Sequence, residues 1–237
     1  MTPEAIEIDA IEKRYERRFA RRIADRYSPL DPYVMMAEQE KDRALIRLLK
    51  QVGVAGGISR RMLLELGCGN GSNLMRFMRV GFRPENIVGN ELLPQRVCEA
   101  RAMLPESVEL LQGDALQLDR SNESFDVVVL FTVLSSILDD GFQQRLAAKA
   151  WSLVKPGGGV LCYDFTYNNP ANPDVRGVPM RRLRELFPGA TIRWQRVTLA
   201  PPLGRPLARL HAALYTIANS AWPLRSHVLA WLSKTRG

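Results

Sequence analysis

Cysteine is scarce in this chain, and it is scattered. Cys68, Cys98 and Cys162 are the three among 237 residues. A disulfide scaffold or a thiolate metal site needs more thiols at closer spacing, so reduced, partly buried groups are expected. Histidine is scarcer still, at His211 and His227, and no His/Cys/Asp cluster has metal-ligand spacing. No metal is predicted, and both histidines are read as structural. Apolar runs fall far short of the ~18 residues that span a bilayer. The opening Met1-Thr2-Pro3-Glu4-Ala5 lacks the charged and apolar regions of a secretory leader, so a cytoplasmic protein is expected. With 46% hydrophobic and 24% charged residues, disordered and low-complexity classes are excluded. The length suits one α/β domain with embellishments. The last deficit is local. Residues 176–237 hold 11 Lys/Arg and a single acid, Glu185, whereas residues 1–175 hold 22 basic and 24 acidic residues. The formal charge of +8 therefore belongs to the C-terminal quarter.

Residues 6–27 have a helical pattern, with Ile11, Tyr15, Phe19 and Ile23 four apart. Ser28-Pro29-Leu30-Asp31-Pro32 breaks it. Asp31 can cap a second helix with Pro32 in its first turn, running to Gly53. Residues 1–57 are read as an N-terminal helical cover, and 58–237 as the main domain. From residue 61 strands and helices alternate: strands at 62–66, 87–90, 108–112, 125–131, 160–165, 191–199 and 226–233, and helices at 72–80, 94–104, 141–154 and 180–187. Lys155-Pro156-Gly157-Gly158 reads as a turn. Leu207, Leu210, Leu214, Ile217 and Ala221 predict one apolar-faced helix at about 205–222, begun by Pro206 and inserted before the last strand. Such alternation predicts a mostly parallel, doubly wound sheet of seven strands with helices on both faces.

Three segments carry chemistry. In Glu65-Leu66-Gly67-Cys68-Gly69-Asn70-Gly71-Ser72 a strand ends in alternate glycines and opens a helix. Such a turn admits close backbone approach, and its amides can receive a carboxylate or phosphate. The spacing is G-x-G-x-G, and the dinucleotide fingerprint would need glycine at Ser72. Gly89-Asn90-Glu91 ends the second strand, and Glu91 follows Gly71 by 20 residues, where nucleotide sites place an acid for ribose hydroxyls. Gln112-Gly113-Asp114-Ala115 follows the third strand. Its carboxylate can accept from an adenine amino group.

Together these segments resemble class I S-adenosylmethionine (SAM)-dependent methyltransferases of the methyltransferase-11 type. Phe125-Asp126-Val127-Val128 and Leu153-Val154-Lys155-Pro156-Gly157-Gly158-Gly159 are similar to that family's patterns at and after the fourth strand. The resemblance implies a Rossmann-like fold and SAM as cofactor. By it, Glu65, Gly67, Gly69 and Gly71 frame the methionine part, Glu91 and Leu92 the ribose, and Asp114 with Ala115 the adenine. Thr132 after the fourth strand completes the site, and Tyr27, with Tyr15 and Tyr33, is a candidate lid. The family's usual Asp at the second strand is Glu91 here.

The acceptor side is expected over the carboxyl ends of the strands. Thr132-Val133-Leu134-Ser135 lacks the Asn/Asp-Pro-Pro-Tyr/Phe run of nucleobase amino-methyltransferases. Residues 163–177 are dense in amides, acids and aromatics. They look similar to a stretch of methyltransferases serving bacterial cell-surface polysaccharide, lipopolysaccharide included. That likeness implies O-methylation of a glycan or other polar small acceptor, with anionic and lipid-linked acceptors among the candidates. Asp164 is the first candidate base and Asp174 the second. Tyr163, Asn168, Asn169, Asn172 and Arg176 are candidate acceptor-binding residues. Two other readings stand beside it. The basic C-terminal part admits an RNA methyltransferase, though no nucleic-acid module is recognisable. Residues 205–225 admit peripheral contact with a membrane face, an oligomer mate, or a SAM-fold protein without catalysis.

Overall fold

The computed structural model describes residues 3–20, 28–169 and 172–235. Seven strands form one sheet: β1 (Leu63–Leu66), β2 (Ile87–Glu91), β3 (Glu109–Gln112), β4 (Phe125–Phe131), β5 (Val154–Phe165), β6 (Thr191–Leu199) and β7 (Arg225–Ser233). Their order is β3-β2-β1-β4-β5-β7-β6, and β7 alone runs antiparallel to its neighbours. The expected mostly parallel, Rossmann-like sheet is therefore present. Continuous apolar sequence in the central strands follows from burial on both faces. In β4, Val128 and Leu130 pack on one side, Val127, Val129 and Phe131 on the other.

Helices α1 (Pro3–Ala20), α2 (Pro32–Gln51), α3 (Ser72–Val80), α4 (Pro94–Met103), α5 (Asp140–Leu153) and α6 (Met180–Leu186) accompany the sheet. One core layer packs Leu146, Ala150 and Leu153 of α5 and Leu183 and Leu186 of α6 against the sheet. The other takes Leu45, Leu48 and Leu49 of α2 and Leu74 and Phe77 of α3. Asp31 caps α2, its Oδ1 accepting from Tyr33 N at 2.9 Å, as the Asp-Pro start predicts. The first 57 residues contribute two kinds of helix: α1 lies against the loop after β4, while α2 is a core helix.

The structure corrects three local expectations. Lys155–Gly158 does not end in a separate turn before its strand. β5 begins at Val154, and the pairing jumps from Phe125↔Val154 to Val127↔Gly159, so the glycines form a bulge inside the strand. The single inserted helix is two, α7 (Pro201–Leu210) and α8 (Ala212–Ser220), and Pro206 lies inside α7 instead of opening it. His211 between them is extended (φ −167°, ψ 138°), and its Nδ1 accepts from Ala213 N at 3.1 Å, which caps α8. Leu210 and Ile217 of the expected apolar face are 74% and 68% exposed, and Gly204, Ala208, Tyr215 and Asn219 face inward. Among the thiols, Cys68 and Cys162 are buried but Cys98 is exposed.

Candidate active site

Sheet order reverses between β1 and β4, and the crevice beyond their carboxyl ends is where open α/β sheets bind ligands. The loop after β1 fills its floor. Gly67 and Gly71 sit at φ +69° and +83°, in the left-handed region that side chains resist. A Cβ on Gly67 would lie 2.8 Å from Val133 Cγ2, and one on Gly71 2.7 Å from Leu104 Cδ1. Glycine is needed here for both conformation and room.

Glu91 knits this loop to β2. Its Oε2 accepts from Gly69 N at 2.8 Å and its Oε1 from Leu93 N at 2.9 Å. Asn90 extends the tie to β3, donating to Leu111 O at 3.2 Å and Gly113 O at 2.9 Å. Leu92 is partly exposed beside Glu91. Asp114 Oδ1 accepts from Leu116 N at 3.0 Å, capping a short turn that begins at Ala115. Thr132, at the end of β4, is exposed and sits at φ +55°. The structure therefore gathers the loops carrying Gly67, Glu91, Leu92, Asp114, Ala115 and Thr132 at one edge of the sheet. Tyr27 lies outside the described residues. Tyr33 is a packing residue: it is buried, its hydroxyl donates to Leu199 O at 2.9 Å, and it meets Tyr215 edge-on.

Glu65 stands apart. It is fully buried on β1; Oε1 accepts from Asn73 Nδ2 at 2.8 Å, while Oε2 has no hydrogen-bond partner. Burial pushes its carboxyl up to about 8, against the Asn73 hydrogen bond and the Arg76 and Lys41 cations, which pull it down. Asn73 and Arg96 lie outside the segments that the residue pattern singles out. The Arg96 guanidinium lies 5.0 Å from the Tyr15 ring centre, beside Gly69. Helix α1 is fastened along the next loops. Arg14 pairs with Glu7 at 2.6 Å and donates to Ser136 O at 3.1 Å, Glu7 accepts from Leu138 N at 3.1 Å, and Arg17 meets Asp174 at 2.7 Å.

The acceptor-loop residues are largely engaged with the chain itself. Asp164 is 1% exposed; Oδ2 accepts from Ser135 N and Oδ1 from Phe165 N, both at 3.0 Å. Burial raises its carboxyl to about 7. It clamps the loop after β4 to the end of β5. Tyr163 is buried away from the loop. Its hydroxyl shares a 2.9 Å hydrogen bond with Thr198 Oγ1, and its ring stacks on His227 at 5.0 Å. The side-chain alternation of β5 sends it to the face opposite Asp164. Asn168 Oδ1 accepts from Gly177 N at 2.9 Å, Asn172 Oδ1 from Asp174 N at 3.2 Å, and Asn169 O from Asn172 N at 3.0 Å. Arg176 pairs with Asp140 at 2.5 Å. These groups build an ordered wall. His227 is pushed down to about 3 by desolvation and by Lys41, and stays neutral.

The basic C-terminal segment is compensated across the fold. Arg176 and Arg182 meet Asp140, Arg205 meets Asp31 at 2.8 Å, Arg225 approaches Glu40 at 3.7 Å, and Lys234 meets Glu123 at 3.1 Å. Much of the charge excess is thus paired with acids of the first 175 residues. A crevice of about 210 Å³ between Tyr167, Met180, Trp194 and Arg196 lies away from the glycine loop.

The strand order and the glycine loop define a class I SAM-dependent methyltransferase domain. Residues 63–158 match the family described as "Methyltransferase domain". It is 31% identical over 135 residues to a phthiotriol/phenolphthiotriol dimycocerosates methyltransferase of Mycobacterium leprae, covering 56% of this chain and 48% of that protein. It is 34% identical over 88 residues to a malonyl-[acyl-carrier protein] O-methyltransferase of Bacteroides fragilis, covering 37% of this chain and 17% of that one. The chain spans about half the length of the mycobacterial relative. Among solved structures, a SAM-dependent methyltransferase from Thermotoga maritima shares the fold with TM-score 0.62 at 16% identity, over 94% of this chain and 99% of that one. The [4+2]-cyclase SpnF shares it with TM-score 0.57 at 18% identity, over 82% and 83%.

SAM is the cofactor of this domain family, and the residues present fit it. The unpartnered Oε2 of buried Glu65 suits an ammonium group. Each Glu91 oxygen accepts one amide and keeps a second lone pair for a ribose hydroxyl. The glycine loop leaves room for a chain to lie against its backbone.

Proposed function

We propose that this protein transfers the methyl group of SAM to a hydroxyl of a polar head group borne on a lipid, a glycan among the candidates. The observation that carries the methyl-transfer reading is the buried Glu65 carboxyl with one oxygen left unpaired beside the glycine loop. SAM, when bound, supplies a methyl group already activated on a sulfonium. The chain's task is then alignment and exclusion of water. Glu65 holds the cofactor's ammonium, Glu91 its ribose diol, and Asp114 with the Ala115 amide its adenine. Thr132 and the 134–136 turn border the path to the acceptor. α1, through Tyr15 and Arg14, shields the crevice mouth. Asp164 acts as a positioning residue, since both its oxygens hold backbone amides. The lipid-borne acceptor is supported by the two relatives, whose names specify phthiotriol dimycocerosates and malonyl-[acyl-carrier protein]. The sugar-binding role first read into residues 163–177 has less support, because those side chains bond within the chain.

Calorimetry with SAM and with its demethylated product tests the cofactor half. Radiolabelled methyl transfer to lipid-linked glycans, lipid alcohols, free sugars and RNA, with the product located by mass spectrometry, tests the acceptor half. Absence of binding by either cofactor form overturns the proposal. Transfer to RNA alone overturns the acceptor class.

A further inference from the structure

The α7–α8 insert is apolar on two sides: Ala208 and Tyr215 pack inward with Leu207 and Ala218, and a second apolar set faces out. A helix on a soluble protein turns its apolar stripe inward. Here the inward positions include polar groups. Arg205 pairs with Asp31, Asn219 is buried with its carbonyl accepting from Arg225, and the Tyr215 hydroxyl points to Glu40. The outward positions are Leu203, Leu210, Leu214, Ile217, Trp222 and Leu224, all exposed, with Leu210, Ile217 and Trp222 between 63% and 74%. Their arrangement is held rigidly: Tyr33 and Tyr215 pack edge-on, and the Arg205 guanidinium covers the Tyr33 ring at 5.0 Å.

Charge decides what such a face suits. After Glu185 the sequence contains no acid at all. Arg209 projects beside Leu210 with its side chain 68% exposed, 3.7 Å from the largely buried Asp31, and the Arg196 guanidinium lies 5.4 Å from the Trp222 ring centre. The nearest acids, Asp31 and Glu40, are largely buried beneath the insert, and exposed apolar side chains rimmed by arginine, with a tryptophan at the edge, match the interface of an anionic bilayer.

Position adds the functional sense. The insert leaves the end of β6 and returns at the start of β7, where Leu199 pairs with Arg225 and Phe165 with His227. It therefore sits at the same edge of the sheet as the end of β5 and the acceptor-side loops. We propose that α7, α8 and the turn at 222–224 dock the protein on an anionic lipid bilayer, presenting the acceptor side of the crevice to a lipid-borne substrate. Docking itself is independent of the methyl-transfer reading. Only its purpose rests on that reading.

The test is co-sedimentation with vesicles of phosphatidylcholine alone and of phosphatidylcholine mixed with phosphatidylglycerol. The wild-type chain is expected to bind the mixed vesicles at least fivefold more tightly, about the effect of one arginine at an anionic surface. Leu210→Asp/Ile217→Asp alters side chains already in solvent and should cut binding tenfold or more while leaving the thermal melt and SAM calorimetry unchanged. Arg209→Glu, a milder second variant, should abolish the preference for anionic vesicles. The proposal is overturned if the wild type stays in the supernatant with both vesicles, or if neither variant changes its partition. It is also overturned if sedimentation velocity shows a dimer that the double variant dissolves, which would assign the face to a second copy. Failure of SAM binding with vesicle binding intact would overturn only the methyl-transfer reading.

Discussion

Glu65→Gln should make the protein more stable near neutral pH and less able to bind its cofactor. The carboxyl's ordinary value of 4.5 is raised to about 8 in the folded chain. An acid so raised stabilises the fold fully below its unfolded value, and that contribution is lost as pH climbs toward the folded value. Between 4.5 and pH 7 the unfolded chain has released this proton and the folded chain still holds it. Each pH unit of that interval costs about 1.4 kcal/mol, roughly 3 kcal/mol at pH 7. Glutamine reproduces the shape of the neutral acid and keeps an oxygen for Asn73, without the pH-dependent loss. Urea unfolding at pH 5, 6, 7 and 8 should therefore give curves that converge at the acid end and separate with rising pH, the variant the more stable. Comparing the two proteins cancels other buried groups, Asp164 included. In calorimetry the variant should bind SAM at least tenfold more weakly, because it cannot face an ammonium with a charge. For the wild type at pH 7, binding should release a proton, detected as a dependence of the heat on the buffer's ionisation enthalpy. Parallel stability curves, or unchanged affinity for SAM, would refute the reasoning.

Three further outcomes are expected. Gly71→Ala places a side chain at φ +83° and against Leu104 Cδ1, so denaturant unfolding should show a loss of about 2 kcal/mol. Asp164→Asn should leave methyl transfer within a few-fold of wild type and flatten the stability profile around pH 7, where burial holds this carboxyl. A loss of activity of a hundredfold or more would restore it as a general base. Arg14→Ala leaves Glu7 without its cation in a largely buried pair, and hydrogen exchange across α1 should quicken by roughly two orders of magnitude, about 3 kcal/mol.

Much of the architecture is readable locally. Six of the strands, the helices at 72–80 and 94–103, and the Asp31-Pro32 helix start fall where side-chain periodicity and capping chemistry put them, while β5 starts six residues earlier. The loop of Gly67, Gly69 and Gly71 is legible for the same reason, since left-handed backbone asks for glycine within a few residues. The insert shows where such reading fails. The spacing of Leu210, Leu214 and Ile217 announces a helix face without saying whether anything covers it, and here Gly204 and Tyr215 are the ones that meet Tyr33. Tyr163 and Asp164 are adjacent in an apparently substrate-facing run, yet β5 sends them to opposite faces, one to Thr198 and one to Ser135.

The class of fold, the cofactor loop and the uneven placing of charge are each written in neighbouring residues. What that charge does follows from which distant segments meet. Arg205 meets Asp31 from 174 positions away, Arg176 meets Asp140, and Lys234 meets Glu123. The physical reason is that periodicity and backbone conformation act over a few residues, whereas burial and ion pairing depend on which distant segments the sheet brings together. The same distinction leaves Glu65 buried with a free oxygen and the apolar face of α7 and α8 turned to the outside.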